Sequence, residues 1–176
     1  MVRFAPLIAP DSRVLDLACG YGRHARYLAA MGHRVRALDR DEAALSTLSS
    51  VDRIDIVPFD LELGDTAHRW PFRGQTFDAI VVSHYLYRPL FPHLCAALDS
   101  RGVLIYETFA RGNEAYGRPS NPHFLLEPNE LLDRFAASTR VIAFEQGIAN
   151  VPSDAVIQRI CAIGRDRDWP QPLPAG

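Results

Sequence analysis

The stretch Val14-Leu15-Asp16-Leu17-Ala18-Cys19-Gly20-Tyr21-Gly22-Arg23 decides how the rest of the chain is read. Arg13 to Ala18 has the short apolar character of a buried parallel strand, interrupted by Asp16. A D-x-A-x-G-x-G turn follows, from Asp16 to Gly22. Gly20 and Gly22 let the backbone bend sharply and approach a ligand with no Cβ in the way. Gly22 to Met31 then has helical spacing, with Ala25, Leu28 and Ala29 on one face and Gly32 as the stop. Such a turn aims the helix's unpaired N–H groups at whatever lies above it, a natural place for a carboxylate. Taken alone, the turn fits a simple strand-to-helix connection equally well.

Outward from this unit, apolar runs alternate with amphipathic segments. Strands are expected at Arg34–Leu38, Asp55–Phe59, Phe77–Ser83 and Val103–Thr108, and helices at Asp41–Leu48 and Pro89–Leu98. Asp60 to Gln75 has only weak helical periodicity and reads as a short or irregular crossover. Phe109 to Leu126 is rich in Gly, Pro and Asn, and a connection of that length in a compact domain is usually a binding loop or lid. A helix over Pro128–Ala137 leads to strands at Arg140–Glu145 and Ala155–Ile163, whose short linker predicts an antiparallel hairpin at one end of the sheet. The expected architecture is α/β, with a doubly wound, mostly parallel seven-stranded sheet. It forms one domain over residues 1–165, followed by a Pro-rich tail at 166–176.

In such sheets ligands bind beyond the carboxyl ends of the strands, near the switch point of strand order. The first four strands each end in a residue suited to a nucleotide-like ligand. Asp16 precedes the turn, and Asp39 lies 23 residues further on, where its carboxylate can accept from two ribose hydroxyls. Asp60 follows the third strand and can accept from an adenine amino group. Ser83-His84-Tyr85-Leu86-Tyr87 follows the fourth, beside the expected reaction centre. Recurrence of acids at nearly even spacing separates this constellation from a chance Gly-x-Gly.

Composition narrows the function classes. The chain has 176 residues, is 48% hydrophobic and 23% charged, and carries a net charge of −2, an ordinary globular balance with no general attraction to phosphate backbones or anionic membranes. All 19 basic residues are arginine, which reads as codon bias of a GC-rich bacterial genome. No apolar run approaches the roughly 18 residues of a membrane span, and Met1 to Pro10 is too weak for a signal peptide. Cys19, Cys95 and Cys161 lack C-x-x-C spacing and the six histidines are scattered, so neither a disulfide framework nor a metal site is expected. A reducing cytoplasm fits best.

Val14 to Arg23 resembles the first motif of the class I S-adenosylmethionine-dependent methyltransferases. Trp70-Pro71-Phe72-Arg73-Gly74-Gln75-Thr76-Phe77-Asp78-Ala79-Ile80-Val81 is similar to the stretch leading through their fourth strand, and Leu98-Asp99-Ser100-Arg101-Gly102-Val103-Leu104-Ile105-Tyr106 to the turn and strand after it. The resemblance spans about residues 12 to 164. Small size and the C-G-x-G-R turn look most like the tellurite-resistance-type small bacterial enzymes. Ala18 stands where a first glycine is more common. The resemblance implies a Rossmann-like fold and S-adenosylmethionine as cofactor. In that reading Asp16 organises the turn and the methionine amino group, and Cys19 belongs to the same cofactor turn as a packing residue. The backbone of Ala18, Gly20 and Gly22 lines methionine and ribose, Asp39 holds the ribose diol and Arg40 covers the adenine. Asp60 and Leu61 frame the adenine, the Ser83 carbonyl faces the methionine ammonium, and Arg23 reaches the carboxylate.

His84, Tyr85 and Tyr87 are the catalytic candidates by position, with Glu107 behind them, should the acceptor arrive protonated. Arg111, Tyr116 and Arg118 either grip an acidic or aromatic substrate or solvate a lid. With little chain to spare for a substrate cap, the acceptor is a small molecule or the site is completed by the second subunit of a homodimer. Gly20-x-Gly22-x-x-Ala25 also fits an NAD(P)-binding oxidoreductase, with Asp39 as the ribose acid. Against that reading, Asp16 precedes the glycines and too little chain follows the fifth strand for a catalytic domain. A non-catalytic S-adenosylmethionine-binding module would lack a substrate-sized cavity after the fourth strand. Nucleic-acid amino-base methylation is disfavoured, because no Asn-Pro-Pro-Tyr follows that strand and Asn121-Pro122 lies in the later loop.

Overall fold

The computed structural model describes residues 1–64, 69–150 and 153–173. Seven strands form one sheet: β1 (Arg13–Leu17), β2 (Arg34–Asp39), β3 (Ile54–Pro58), β4 (Phe77–Ser83), β5 (Leu98–Phe109), β6 (Thr139–Ala149) and β7 (Ala155–Gly164). Their order is β3-β2-β1-β4-β5-β7-β6. The first five run parallel, and β7 lies antiparallel between β5 and β6. Winding runs outward from β1 to β3 and then restarts at β4, so the switch point lies between β1 and β4. The α-helices lying wholly within the described residues are α1 (Arg23–Ala30), α2 (Glu42–Ser46), α3 (Phe91–Ala97) and α4 (Glu130–Phe135). Among the described residues no helix is long and apolar enough to cross a membrane.

Alternation along the buried strands sends side chains to two cores. Val14, Ala79, Val81, Val103 and Ile105 face α1 on one side, and Leu15, Leu17, Ile80, Val82 and Leu104 face α3 and α4 on the other. The second core is aromatic at its centre, where Phe91 meets Phe135 edge-on at 5.6 Å and Trp70 meets Phe72 at 5.5 Å. Burial of β4 is nearly continuous because helices cover both faces of a central parallel strand.

Two features depart from expectation, and a third falls partly outside the described residues. Val2–Leu7 forms a 3-10 helix that buries Phe4, Ala5 and Leu7 on the α1 side. Its three-residue repeat and internal Pro6 leave no 3.6-residue signal in the sequence. β5 starts at Leu98, five residues before the expected Val103, and pairs with β4 through a register shift between Phe77 and Ala79. The weak crossover after β3 falls partly on residues 65–68, outside the described residues.

The shifted segment turns on close backbone contact. A Cβ on Gly164 would fall inside contact distance of the Ser100 carbonyl and 2.7 Å from that of Asp99. Backbone cannot yield as a flexible side chain does. Gly164→Ala is therefore expected to cost about 2–3 kcal/mol, read as a lower urea midpoint at unchanged m-value; an unaltered midpoint would show that this corner is not close-packed.

Candidate active site

A cavity of about 380 Å³ opens over the carboxyl ends of β1 to β5. Every one of those strand ends contributes to it: Ala18 from β1, Asp39 and Arg40 from β2, Phe59 to Glu62 from β3, His84 to Leu86 from β4, and Thr108 and Phe109 from β5. Pro119 and Phe124 of the loop after β5 close one side. The cavity thus sits at the switch point, where the β1 turn bends one way and the β4 segment the other.

The β1 turn is built from three left-handed residues, Ala18 (φ +54°), Gly20 (φ +53°) and Gly22 (φ +73°). Glycine takes that conformation freely, whereas Ala18 bears a steric cost of about 1 kcal/mol. The turn is pinned to β2. Cys19 N–H donates to Leu38 O at 3.0 Å, and Gly20 N–H donates to Asp39 Oδ2 at 2.7 Å. The second oxygen of Asp39 accepts from Asp41 N–H at 2.9 Å, and Asp41 in turn caps α2 through Ala44 N–H. A Cβ on Gly22 would strike Leu48, whereas a Cβ on Gly20 would meet no atom within 4 Å. The space beside Gly20 is open.

Asp16 lies beneath the turn, 1% exposed, with Oδ2 unpartnered. Burial pushes its carboxyl up to about 7, and the nearby Asp39 charge adds to that, while the Ala25 N–H of α1 and the Arg23 guanidinium hold it down. Burial likewise lifts the Cys19 thiol to about 12, helped by the charges of Asp16 and Asp39, so Cys19 carries no thiolate. Arg23 is exposed and lies 3.3 Å from His24 Nε2. Burial first, and then the Arg23 charge, lower His24 to about 4, leaving it neutral.

At β4 the chain leaves the sheet through His84, whose φ of +56° is left-handed and whose N–H donates to Glu107 O at 2.9 Å. That kink lays the imidazole on Phe109, with ring centroids 5.0 Å apart. Its Nε2 is 3.9 Å from Glu107 Oε1, and Glu107 is bound from across the sheet by Arg159 at 3.1 Å. Tyr85 lines the cavity, but burial and the Glu62 carboxylate beside it push its phenol far up, so it donates and does not accept a proton. Beneath it, the fully buried Tyr106 hydroxyl donates to Tyr85 O at 2.9 Å and holds the segment in place.

Of the residues singled out from sequence, Ala18, Asp39, Arg40, Asp60, Leu61, His84 and Tyr85 line the cavity together. Asp16, Cys19, Gly20, Gly22 and Arg23 form the turn and helix start beside it. Ser83 ends β4, half-buried and paired with Glu107, and Tyr87 lies further along; neither lines the cavity. Arg111 is paired with Glu127 at 3.1 Å, and Tyr116 is exposed.

Sequence reasoning missed Glu62, Thr108, Phe109 and the side-chain strap of Arg88. The strand-end logic applied to four strands would have found Thr108 and Phe109 had it been carried to β5. Arg88 binds both oxygens of the buried Glu130 carboxylate at 2.7 and 2.8 Å and donates to the His123 and Leu125 carbonyls, tying the β4 segment to the loop. No local signal announces a pair 42 residues apart.

Asp16 makes the ligand-free fold pH-dependent. Its folded-state pKa lies above the ordinary 3.8, so the folded protein holds this proton more tightly than the unfolded chain. The stabilisation is complete below pH 3.8 and is lost as pH rises through about 7. Asp16→Asn, which keeps an acceptor for Ala25, should flatten the stability profile between about pH 4 and 7 and be more stable than the parent at pH 8 in urea titrations. A profile parallel to the parent's would contradict the assignment.

A family model described as "Methyltransferase domain" matches residues 14–101, from β1 into the start of β5. No curated protein sequence matches the chain. Among solved structures, TehB from Haemophilus influenzae superposes with a TM-score of 0.75 at 19% identity, over 93% of this chain and 60% of that one. A TehB-like SAM-dependent methyltransferase from Corynebacterium glutamicum gives 0.63 at 17% identity, over 92% and 87%. The glycopeptide N-methyltransferase MtfA, complexed with S-adenosyl-L-homocysteine, gives 0.62 at 18%, over 93% and 87%. This chain therefore spans about three-fifths of the length of TehB.

Proposed function

The chain belongs to the methyltransferase domain family, and from that premise we propose that it transfers a methyl group from S-adenosylmethionine to a small acceptor entering over β4 and β5. The observation that carries this reading is the left-handed turn at Ala18–Gly22, clamped to the Asp39 carboxylate and open beside Gly20. The residues present fit the cofactor. Gly20 leaves room for a ligand, and the unpartnered Oδ2 of Asp16 is an acceptor with nothing bound to it. Asp39, although bonded to Gly20 and Asp41, keeps lone pairs for a diol.

In this reading Asp39 holds the ribose, Asp60 and Leu61 frame the adenine with Arg40 over it, and the α1 N-terminus with Arg23 receives the carboxylate. Asp16 and the Ser83 carbonyl face the ammonium. When bound, S-adenosylmethionine supplies a methyl group on positively charged sulfur, already activated for in-line displacement. The chain's own task is to hold donor and acceptor in line and to exclude water, effects that can be worth roughly 7–11 kcal/mol. His84 is the residue placed to take an acceptor's proton, and Glu107 stabilises the imidazolium that results. Tyr85 positions and donates. Three free cysteines fit action in a reducing cytoplasm.

An NAD(P) oxidoreductase is disfavoured by topology, since β7 runs antiparallel beside β5 where the dinucleotide fold continues with parallel strands. A purely binding module is disfavoured because the cavity runs on past the cofactor strands to β4, β5 and the loop.

Calorimetry should show S-adenosylhomocysteine binding with 1:1 stoichiometry and no NAD binding; the reverse result would sink the proposal. Asp39→Ala should weaken S-adenosylhomocysteine about 10- to 100-fold, as expected for loss of hydrogen bonds to a charged group. It should also cost about 1–2 kcal/mol of stability, because Gly20 and Asp41 lose their acceptor. Affinity unchanged in a folded variant would remove Asp39 from the site. His84→Asn should lower kcat by about 10²-fold or more with the cofactor Kd unchanged, and full activity would exclude proton transfer to His84.

A further inference from the structure

Resting on the reading of His84 as the proton acceptor, we infer that Arg159 is a positioning residue for that base. It draws the Glu107 carboxylate off the imidazole, so that His84 stays free to accept. One row of charge across the sheet leads there.

Ser83 pairs with Glu107, Glu107 with Arg159, and Arg159 with Glu145, so β4, β5, β7 and β6 are in register at this level. Two places further into the strands, Ile105, Cys161 and Ala143 pack in the core on the α1 side. Alternation therefore brings Glu107, Arg159 and Glu145 out on that same face, just beyond the core. Directly opposed side chains of neighbouring strands are the ones that meet. Arg159 Nε lies 3.1 Å from Glu107 Oε2 and 3.6 Å from Glu145 Oε2. Arg3 of the N-terminal 3-10 helix pairs with the other Glu145 oxygen at 2.9 Å.

His84 follows Ser83 and stands at the end of this row, its ring laid on Phe109. Its Nε2 faces Glu107 Oε1 at 3.9 Å, beyond hydrogen-bonding distance. Glu107 thus has one oxygen drawn to Arg159 and the other held short of the imidazole. A carboxylate free to close on the ring would favour the charged imidazolium, which has no lone pair for an acceptor's proton. Among the described residues the buried Arg159 Nε makes no hydrogen bond, so its hold on Glu107 is a charge contact. Glu145 shares that charge and keeps Arg159 from cancelling Glu107 altogether. Once His84 takes a proton, Glu107 Oε1 is still close enough to stabilise it. The other charged or titratable groups around the ring are Arg23 and His24 of α1 and the Met1 amino group, and none is altered in the variants below.

The test reads the His84 ring itself and needs no methyl acceptor. Its titration is followed by proton–carbon NMR at low ionic strength, the His84 signal being identified by its absence from His84→Asn. Arg159→Gln should move the midpoint up by about 0.5 in pH or more, and Glu107→Gln should move it down by a similar amount. Arg159→Lys, which keeps the charge, should recover most of the difference. In the Glu107→Gln background, Arg159→Gln should lose at least half of its effect, because Arg159 acts through Glu107. Glu145→Gln leaves Arg159 to Glu107 alone and should lower the midpoint. Glu145 lies on the edge strand, so this variant keeps the test valid even if Arg159→Gln unfolds. An unchanged or lowered midpoint in Arg159→Gln, an undiminished shift in the double variant, or an unchanged or raised midpoint in Glu145→Gln would overturn the inference while the cofactor assignment stands. S-adenosylhomocysteine binding, measured on the same samples, tests that assignment separately, and its absence from the parent protein would overturn the proposed function.

Discussion

The hydrogen bond from Gly20 N–H to Asp39 Oδ2, at 2.7 Å, joins the end of β2 to the turn after β1. Beside it, the Cys19 N–H bond to Leu38 O and the Gly22 N–H bond to Cys19 O help to hold the three left-handed residues of that turn. With it the turn is rigid, α1 starts in a fixed direction, and the strip beside Gly20 stays open. The same carboxylate bonds Asp41, which caps α2, and Leu48 beyond that helix fills the space a Gly22 side chain would need. One side chain thus sets two helices and one edge of the cavity.

The other edge is set from further away. His84 turns out of β4 in a left-handed conformation that the Glu107 carbonyl stabilises, and Tyr106 holds Tyr85 from within the core. The loop after β5 is fastened by Arg88 to Glu130, and by the buried Asn113, which bonds Pro119 O and Val156 N–H. Electrostatics divides the cavity accordingly. Carboxylates gather over β1 to β3, where a cofactor with hydroxyls, an amino group and a positive charge would lie. Rings gather over β4 and β5. Asp16, buried and unpartnered on one oxygen, is costly to the empty protein, and an ammonium group brought beside it would hold it ionised.

Much of this was legible in the sequence because it is local or periodic. The β1 turn, the acids ending β2 and following β3, the apolar run of β4 and the closing hairpin each carry their signal within ten residues or so. The parts that were not legible depend on long-range contact. The early start of β5 follows from pairing with Phe77 and from packing of Gly164 on Ser100. The 3-10 helix at Val2–Leu7 forms because Phe4 and Leu7 find the α1 core, not because of their spacing. Arg111, a candidate substrate grip by sequence, is taken by Glu127, and Tyr85, a candidate base, is kept protonated by its surroundings.

The most direct measurement is a crystal structure of the protein with S-adenosylhomocysteine. The account requires the ribose hydroxyls on Asp39, the adenine between Arg40 and Asp60–Leu61, the amino-acid end beside Asp16 and Gly20, and the sulfur facing His84 and Phe109. Ligand density elsewhere, or a ribose without contact to Asp39, would contradict it.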